Sequence, residues 1–225
     1  MTPWTLLDST QVPGNGGELR LYQRNNEFSI KIVGRGELMN SRIHDSENAL
    51  AEHTCARLVD CAKPQLLIGG LGMGFTLAAA LQHLSDQAQV IVAELVPAVV
   101  AWNRGPLGDR AGHPLRDPRV TVSETDVARL LMAGEQTYDA ILLDVDNGPE
   151  GLTRKENDWL YSISGLNEAY AALRPRGLLA VWSAGPDKNF LRRLRKAGFE
   201  VDEVRVHAHG SKGARHIIWF ARRNV

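Results

Sequence analysis

The densest set of residues suited to chemistry is Gly70-Leu-Gly72-Met-Gly74, lying between an apolar run and a helical pattern. Glycines in such a turn let the backbone bend tightly and approach a ligand, whose polar atoms then meet free N–H groups at the helix start. The spacing is G-x-G-x-G. The dinucleotide fingerprint G-x-G-x-x-G/A would need a small residue where Phe75 stands, and no Lys-Ser/Thr follows as in a triphosphate loop. That counts against NAD, FAD and nucleoside triphosphates. Glu94 ends the next apolar run. It is placed to accept both hydroxyls of a ribose, or it is a solvent-facing acid at a strand terminus; the neighbouring glycine loop favours the first. Asp126, after the third run, is suited to accept from an adenine amino group and equally to cap a helix. Asp144 and Asp146 follow the very apolar Ala140–Leu143, and Asn147-Gly148-Pro149 reads as a loop that covers a site, although Asp-x-Asp-Asn-Gly is also a good turn.

These residues need a scaffold that brings strand ends together. Leu66–Ile68, Val90–Ala93, Val120–Val122, Ala140–Leu143 and Leu178–Trp182 are short apolar runs, as expected of strands covered on both faces. Helical patterns over Phe75–Leu84, Ala98–Asn103, Asp126–Ala133, Asn157–Leu173 and Asp187–Ala197 alternate with them. The expected fold is α/β, a mostly parallel sheet with helices on both sides and ligands outside the carboxyl ends of the strands. Val201–His207 and His216–Ala221, joined by Gly210-Ser-Lys-Gly213 without a helix, place an antiparallel C-terminal strand in that sheet. Upstream, Glu18–Arg24 and Glu27–Val33 alternate with period two around Asn25-Asn26, predicting a hairpin. A helical pattern follows from Ser46 to about Asp60. The expected division is a small β-hairpin region over 1–44 and a Rossmann-like unit over 45–225.

At the residues quoted, the chain resembles the class I S-adenosylmethionine-dependent methyltransferase fold and, within it, the spermidine synthase family of aminopropyltransferases. Ile68-Gly-Gly-Leu-Gly-Met-Gly74, Glu94, Asp126-Val127, Asp144 and Gly148-Pro149 carry the resemblance, with Leu173-Arg-Pro-Arg-Gly177 before the fifth strand. It extends from about Gly34 to Val225, and the N-terminal hairpin is similar to that family's small β-domain, shortened. The resemblance implies a nucleoside site at Gly70, Gly72, Gly74, Glu94, Asp126 and Val127. It implies Asp144, with Asp146, at an attacking amine, and Glu52 on the substrate side; Trp159 and Tyr161, which follow the covering loop, are the aromatics best placed to meet the substrate. Decarboxylated S-adenosylmethionine or S-adenosylmethionine is the implied co-substrate and a small-molecule amine the acceptor, with no metal and with association as a homodimer. The chain also departs from the family. Gly72 stands where the family carries an Asp that helps recognise the aminopropyl end, Glu94-Leu-Val96 replaces Glu-Ile-Asp, and Leu50-Ala-Glu52 replaces Tyr-His-Glu. Asp144-Val-Asp-Asn-Gly replaces Asp-Ser-Ser-Asp-Pro. Three activities follow: aminopropyl transfer to an amine, methyl transfer to a small molecule, and nucleoside binding without catalysis. Gly72 favours the second by removing repulsion against a methionine carboxylate.

Composition narrows the remaining classes. In 225 residues, Lys+Arg 26 balances Asp+Glu 26, so no global field attracts nucleic acid or anionic lipid. Cys55 and Cys61 are too few for a disulfide framework or a cysteine zinc site. From Pro64 to Ser85 there is no charged side chain, but the clustered glycines there break a membrane helix into strand, turn and buried helix. The first eight residues show no basic or apolar secretory pattern, and a reducing, cytoplasmic compartment is expected. His207, His209 and His216 lie at alternating strand positions without a completing carboxylate and are expected to be ordinary surface histidines.

Overall fold

The computed structural model describes residues 2–14, 16–58, 61–145, 159–209 and 212–224. Its larger sheet contains β5 (Gln65–Gly69), β6 (Gln89–Ala93), β7 (Val120–Ser123), β8 (Tyr138–Leu143), β9 (Leu173–Ser183), β10 (Phe199–His209) and β11 (Lys212–Arg223), in the order β10-β11-β9-β8-β5-β6-β7. β7, β6, β5, β8 and β9 are parallel, and β11 pairs antiparallel with both β9 and β10. The short apolar runs therefore become a mostly parallel sheet, as their alternation with helices requires.

Each central strand is buried on both faces, and its residues divide between two cores. Leu66 and Ile68, Ala140 and Leu142, and Ile218 and Phe220 enter one cluster. Leu67, Ile141 and Leu143, and Ile217 and Trp219 enter the other. Alternation of direction along a strand produces this division, and it explains why the runs look uniformly apolar. The helices are α1 (Asp45–Cys55), α2 (Phe75–His83), α3 (Pro97–Arg104), α4 (Gly108–Ala111), α5 (Val127–Ala133), α6 (Ile163–Ala172) and α7 (Lys188–Lys196). None is long and apolar enough to cross a membrane. Asp126 and Asp187 cap α5 and α7 by accepting from the amides of Ala128 and of Asn189 and Phe190. α6 begins later than its pattern predicts, because the Ser162 hydroxyl accepts from Gly165 N–H and fixes the start; Asn157 lies outside the described residues.

The N-terminal part departs from a single hairpin. β2 (Glu18–Arg24) and β3 (Glu27–Ile32) turn at Asn25, whose φ of 53° is the left-handed conformation a tight turn requires. β1 (Thr5–Gln11) and β4 (Gly36–Asn40) flank them in a four-stranded antiparallel sheet. Leu6 and Leu7 of β1 are both exposed, so this edge strand lacks the inward-outward alternation that would have announced it. It is held by pairing with β2 and by Trp102 Nε1, which donates to Asp8 at 2.7 Å. Leu19, Leu21, Phe28, Ile30 and Ile32 point inward and join the same core as α1, α2 and β5.

Candidate active site

Strand order reverses between β5 and β8, whose neighbours lead away in opposite directions, and the crevice at that point is where open α/β sheets bind ligands. A cavity of about 210 Å³ lies there. The loop from β5 to α2 forms its floor. Gly70 has a φ of 91°, and a Cβ at this position would stand 2.5 Å from the carbonyl oxygen of Asp144. Only glycine permits this approach of the loop to the end of β8. Gly70 N–H donates to Ala93 O at 2.9 Å, and Gly74 N–H closes a turn on Leu71 O at 2.8 Å.

Glu94, at the end of β6, ties this loop to the next one. Its Oε2 accepts from Leu71 N–H at 2.9 Å and its Oε1 from Val96 N–H at 2.8 Å. The residue is 8% exposed and lines the cavity. Burial pushes its carboxyl above the usual carboxylate range, against the amides of Val96, Leu71, Gly72 and Leu95, which favour the ionised form. Each oxygen retains a lone pair beyond these bonds, so the carboxylate is braced and still able to accept from a ligand. Asp126 lines the cavity while its side chain caps α5. Val127 packs beneath the loop, 3.0 Å from where a Cβ on Gly69 would fall.

The opposite end is built around Asp144. Its backbone N–H donates to Gly69 O at 3.0 Å, extending the β5–β8 ladder, and its Oδ2 accepts from the Thr76 hydroxyl at 2.5 Å. Burial first, and then the charge of Glu47, raise its carboxyl to about 7, against the Thr76 donation, which opposes the rise. Glu47, in the first turn of α1, lines the same cavity, and its Oε2 accepts from the Ser46 hydroxyl at 2.7 Å. Burial, then the neighbouring Asp45, raises Glu47 as well. Trp182 stands beside Asp144 in the β8–β9 register, one step past the Leu143–Val181 pair, and lines the cavity too. Leu19, Ile30, Ile32, Leu38, Met39 and Asn40 of the N-terminal sheet form the roof. Among the described lining residues the titratable groups are Glu47, Glu94, Asp126 and Asp144, with no Lys, Arg or His.

Comparison with known proteins bears on this architecture. No family model matches the chain. A polyamine aminopropyltransferase 1 of Streptomyces coelicolor is 28% identical over 149 residues, covering 63% of this chain and 27% of that relative, so the chain spans about a quarter of the relative's length. A crystal structure of spermidine synthase in complex with the transition-state analogue AdoDATO superposes on 98% of this chain and 73% of its own, with a TM-score of 0.75 at 17% identity. The chain has the fold of the spermidine synthases. A carbon methyltransferase, CurJ, shares it more loosely, over 80% of this chain and 54% of its own, with a TM-score of 0.56 at 12% identity.

On this spermidine synthase-like frame, the site residues expected from sequence separate. Gly70, Gly72, Glu94, Asp126, Val127 and Asp144 converge on one cavity, whereas Gly74 does not line it and faces Asn103, Pro114 and Ala111 instead. Glu52 does not reach it. Its side chain is 56% exposed, with His83 at 4.0 Å as its ionic neighbour. Glu47 occupies the cavity-facing position instead, because five helical residues rotate a side chain by about 140° net. Its relation to the buried Leu50, Ala51 and Thr54 at i+3, i+4 and i+7 was the available signal. Tyr161 is a core residue, 3% exposed, donating its hydroxyl to Val145 O at 3.2 Å and packing edge-on against Phe190. Trp159 packs against that same core, and neither aromatic is among the lining residues. Asp146 and the Gly148-Pro149 loop lie outside the described residues. Thr76 and Trp182 were missed as site residues, since a hydroxyl in a helix and a Trp in an apolar strand carry no local mark of what they face.

Proposed function

We propose that this protein transfers an aminopropyl-type alkyl group from a decarboxylated S-adenosylmethionine-like sulfonium to a small amine, with residues 45–225 as the catalytic unit and 1–44 as its roof. The observation that carries this reading is a carboxyl raised to about 7, Asp144, beside a glycine loop in a cavity whose described titratable side chains are all acids. The aminopropyltransferase relative and the spermidine synthase fold, seen there with AdoDATO, support it. Decarboxylated S-adenosylmethionine supplies an electrophilic carbon attached to a sulfonium and a neutral thioether as leaving group.

The protein's own residues supply orientation, charge and proton transfer. Glu94 and Asp126 hold the nucleoside through its ribose and base. Asp144 and Glu47 attract the cationic acceptor. An alkylammonium has an ordinary pKa near that of Lys, about 10, and must lose a proton before its nitrogen can attack. Asp144, ionised above about pH 7, accepts a proton from the nitrogen as the new C–N bond forms and the C–S pair returns to sulfur. A base tuned close to neutrality performs this better than an ordinary carboxylate, because it holds the proton it takes. Thr76 keeps Asp144 aimed, which lowers the orientational cost.

The donor choice follows from the charge of the cavity. The methionine end of S-adenosylmethionine brings a carboxylate into a lining with four carboxylates and no cation among the described residues. Gly72 favours the opposite choice, since no side chain there repels that carboxylate. Titration calorimetry with the two nucleosides separates them: decarboxylated S-adenosylmethionine is expected to bind at least about tenfold more tightly, a difference of about 1.4 kcal/mol. Equal or reversed affinity overturns aminopropyl transfer in favour of methyl transfer. Tight binding without a product in a diamine screen followed by mass spectrometry makes the protein a nucleoside binder without catalysis.

A further inference from the structure

Three of the five amides from Gly70 to Gly74 donate within the protein, and a fourth, that of Gly72, is directed at Glu94. Gly70 N–H donates to Ala93 O, Leu71 N–H to Glu94, and Gly74 N–H to Leu71 O, while the Gly72 amide favours the ionised Glu94. The fifth, of Met73, belongs to the middle peptide of the turn that Gly74 N–H closes. Turn types differ by which way that middle peptide faces, and the closing hydrogen bond is compatible with either. Gly72, with a φ of 53°, and Met73, outside the left-handed region, set one facing, which a contact from outside the turn can hold.

Asn103, in the last turn of α3, does so. It is 1% exposed, and its Nδ2 donates to Gly72 O at 2.8 Å and to Val99 O at 2.9 Å. The reverse amide orientation would set Oδ1 against those two carbonyl oxygens, so the network fixes the side chain. Its Oδ1 is buried without a partner among the described residues and stands 2.9 Å from where a Cβ on Gly74 would fall. Asn103 itself does not line the cavity, whereas Gly72 and Met73 do. With Gly72 O held toward Asn103, the trans peptide directs the Met73 N–H the opposite way.

We propose that Asn103 is a positioning residue that locks the Gly72–Met73 peptide so that the Met73 N–H faces the cavity and donates to an oxygen of the bound nucleoside. This rests on the reading of the cavity as a nucleoside site. Its position on α3, outside the glycine motif and the strand ends, explains why spacing alone does not reveal it.

The test follows backbone amides of the ¹⁵N-labelled full chain by NMR during titration with 5′-methylthioadenosine and, separately, S-adenosylmethionine. A Met73 shift with the first assigns a ribose oxygen; a shift with the second alone assigns the methionine carboxylate. Asn103→Ala is expected to abolish the Met73 response and weaken nucleoside binding about tenfold. Asn103→Ser, which keeps a shorter donor, should fall between and carries the comparison if the alanine variant does not fold. Leu194→Ala, in the buried core cluster that does not include Leu71 or Met73, should lower the melting temperature while leaving affinity within about twofold. A silent Met73 while neighbouring loop amides move, or unchanged affinity in both Asn103 variants, overturns the proposal and leaves the nucleoside site standing. If no amide from Gly70 to Gly74 or near Glu94 and Asp126 responds to either compound, the nucleoside reading falls, and this assignment with it.

Discussion

Glu94 and Asp144 are both acids at the carboxyl ends of strands of one sheet, facing one cavity, yet their surroundings differ. Glu94 is braced by main-chain amides on both oxygens, so the cost of burying it is offset by hydrogen bonds fixed in the backbone. Asp144 has one side-chain donor, Thr76, and a second acid, Glu47, whose charge makes its ionisation harder. Backbone amides do not titrate and scarcely move; a hydroxyl and a neighbouring carboxylate leave the proton mobile. One end of the cavity is therefore built to hold a ligand and the other to exchange a proton.

The sharpest way to break this contrast is Asp144→Asn. Turnover is expected to fall by about 10²–10⁴-fold while nucleoside affinity stays within a few-fold, measured by product formation and calorimetry on the same protein. The same variant reads the proton directly. A carboxyl raised from its ordinary range to about 7 favours the protonated folded state, so its stabilising effect is present below about pH 4 and is lost as pH rises to about 7. Asn is not ionised, and its melting temperature should exceed that of the parent at pH 8 but not at pH 4. No gain at pH 8 would remove the claim that Asp144 is an awkwardly buried acid.

A smaller effect sharpens the role of Glu47. Since its charge raises Asp144, Glu47→Gln should move the rising limb of the pH–rate profile from near 7 toward lower pH. A limb that stays in place, or moves to higher pH, shows that the two acids do not interact as described. The smallest effects belong to Asp126 and Glu52. Asp126→Ala should cost about 1 kcal/mol of stability by uncapping α5, read as a shift in denaturant midpoint, together with weaker nucleoside binding. Glu52→Gln, at an exposed position, should change stability by no more than about 0.5 kcal/mol and leave rate and affinity alone. A strong effect of Glu52→Gln would mean that the helix presents its other face to the substrate.

Legibility in the sequence followed the range of the interactions. The parallel core could be read because each strand is buried on both faces and each helix has a punctuated start and end, all of which are local signals. The glycine loop, Glu94 and Asp144 could be read for the same reason, since strand ends and positive-φ turns are written in neighbouring residues. β1 could not, because an exposed edge strand such as Thr5–Gln11 owes its existence to a partner rather than to a pattern of its own. The start of α6 was misplaced because a serine cap, four residues beyond the polar stretch that ends at Asp158, overrode the periodicity.

What the residues determine by themselves is thus a doubly covered sheet with a glycine turn and two acids delivered to its carboxyl edge. The three-dimensional fold alone decides that α1 turns Glu47 rather than Glu52 toward Asp144, that Thr76 and Trp182 close around it, and that Met39 roofs the loop at Gly72. It also decides that Asp144 titrates near neutrality. The physical reason is that periodicity and turn chemistry are properties of adjacent residues, whereas loss of water and the charge of a neighbour depend on segments that meet only after the chain has folded.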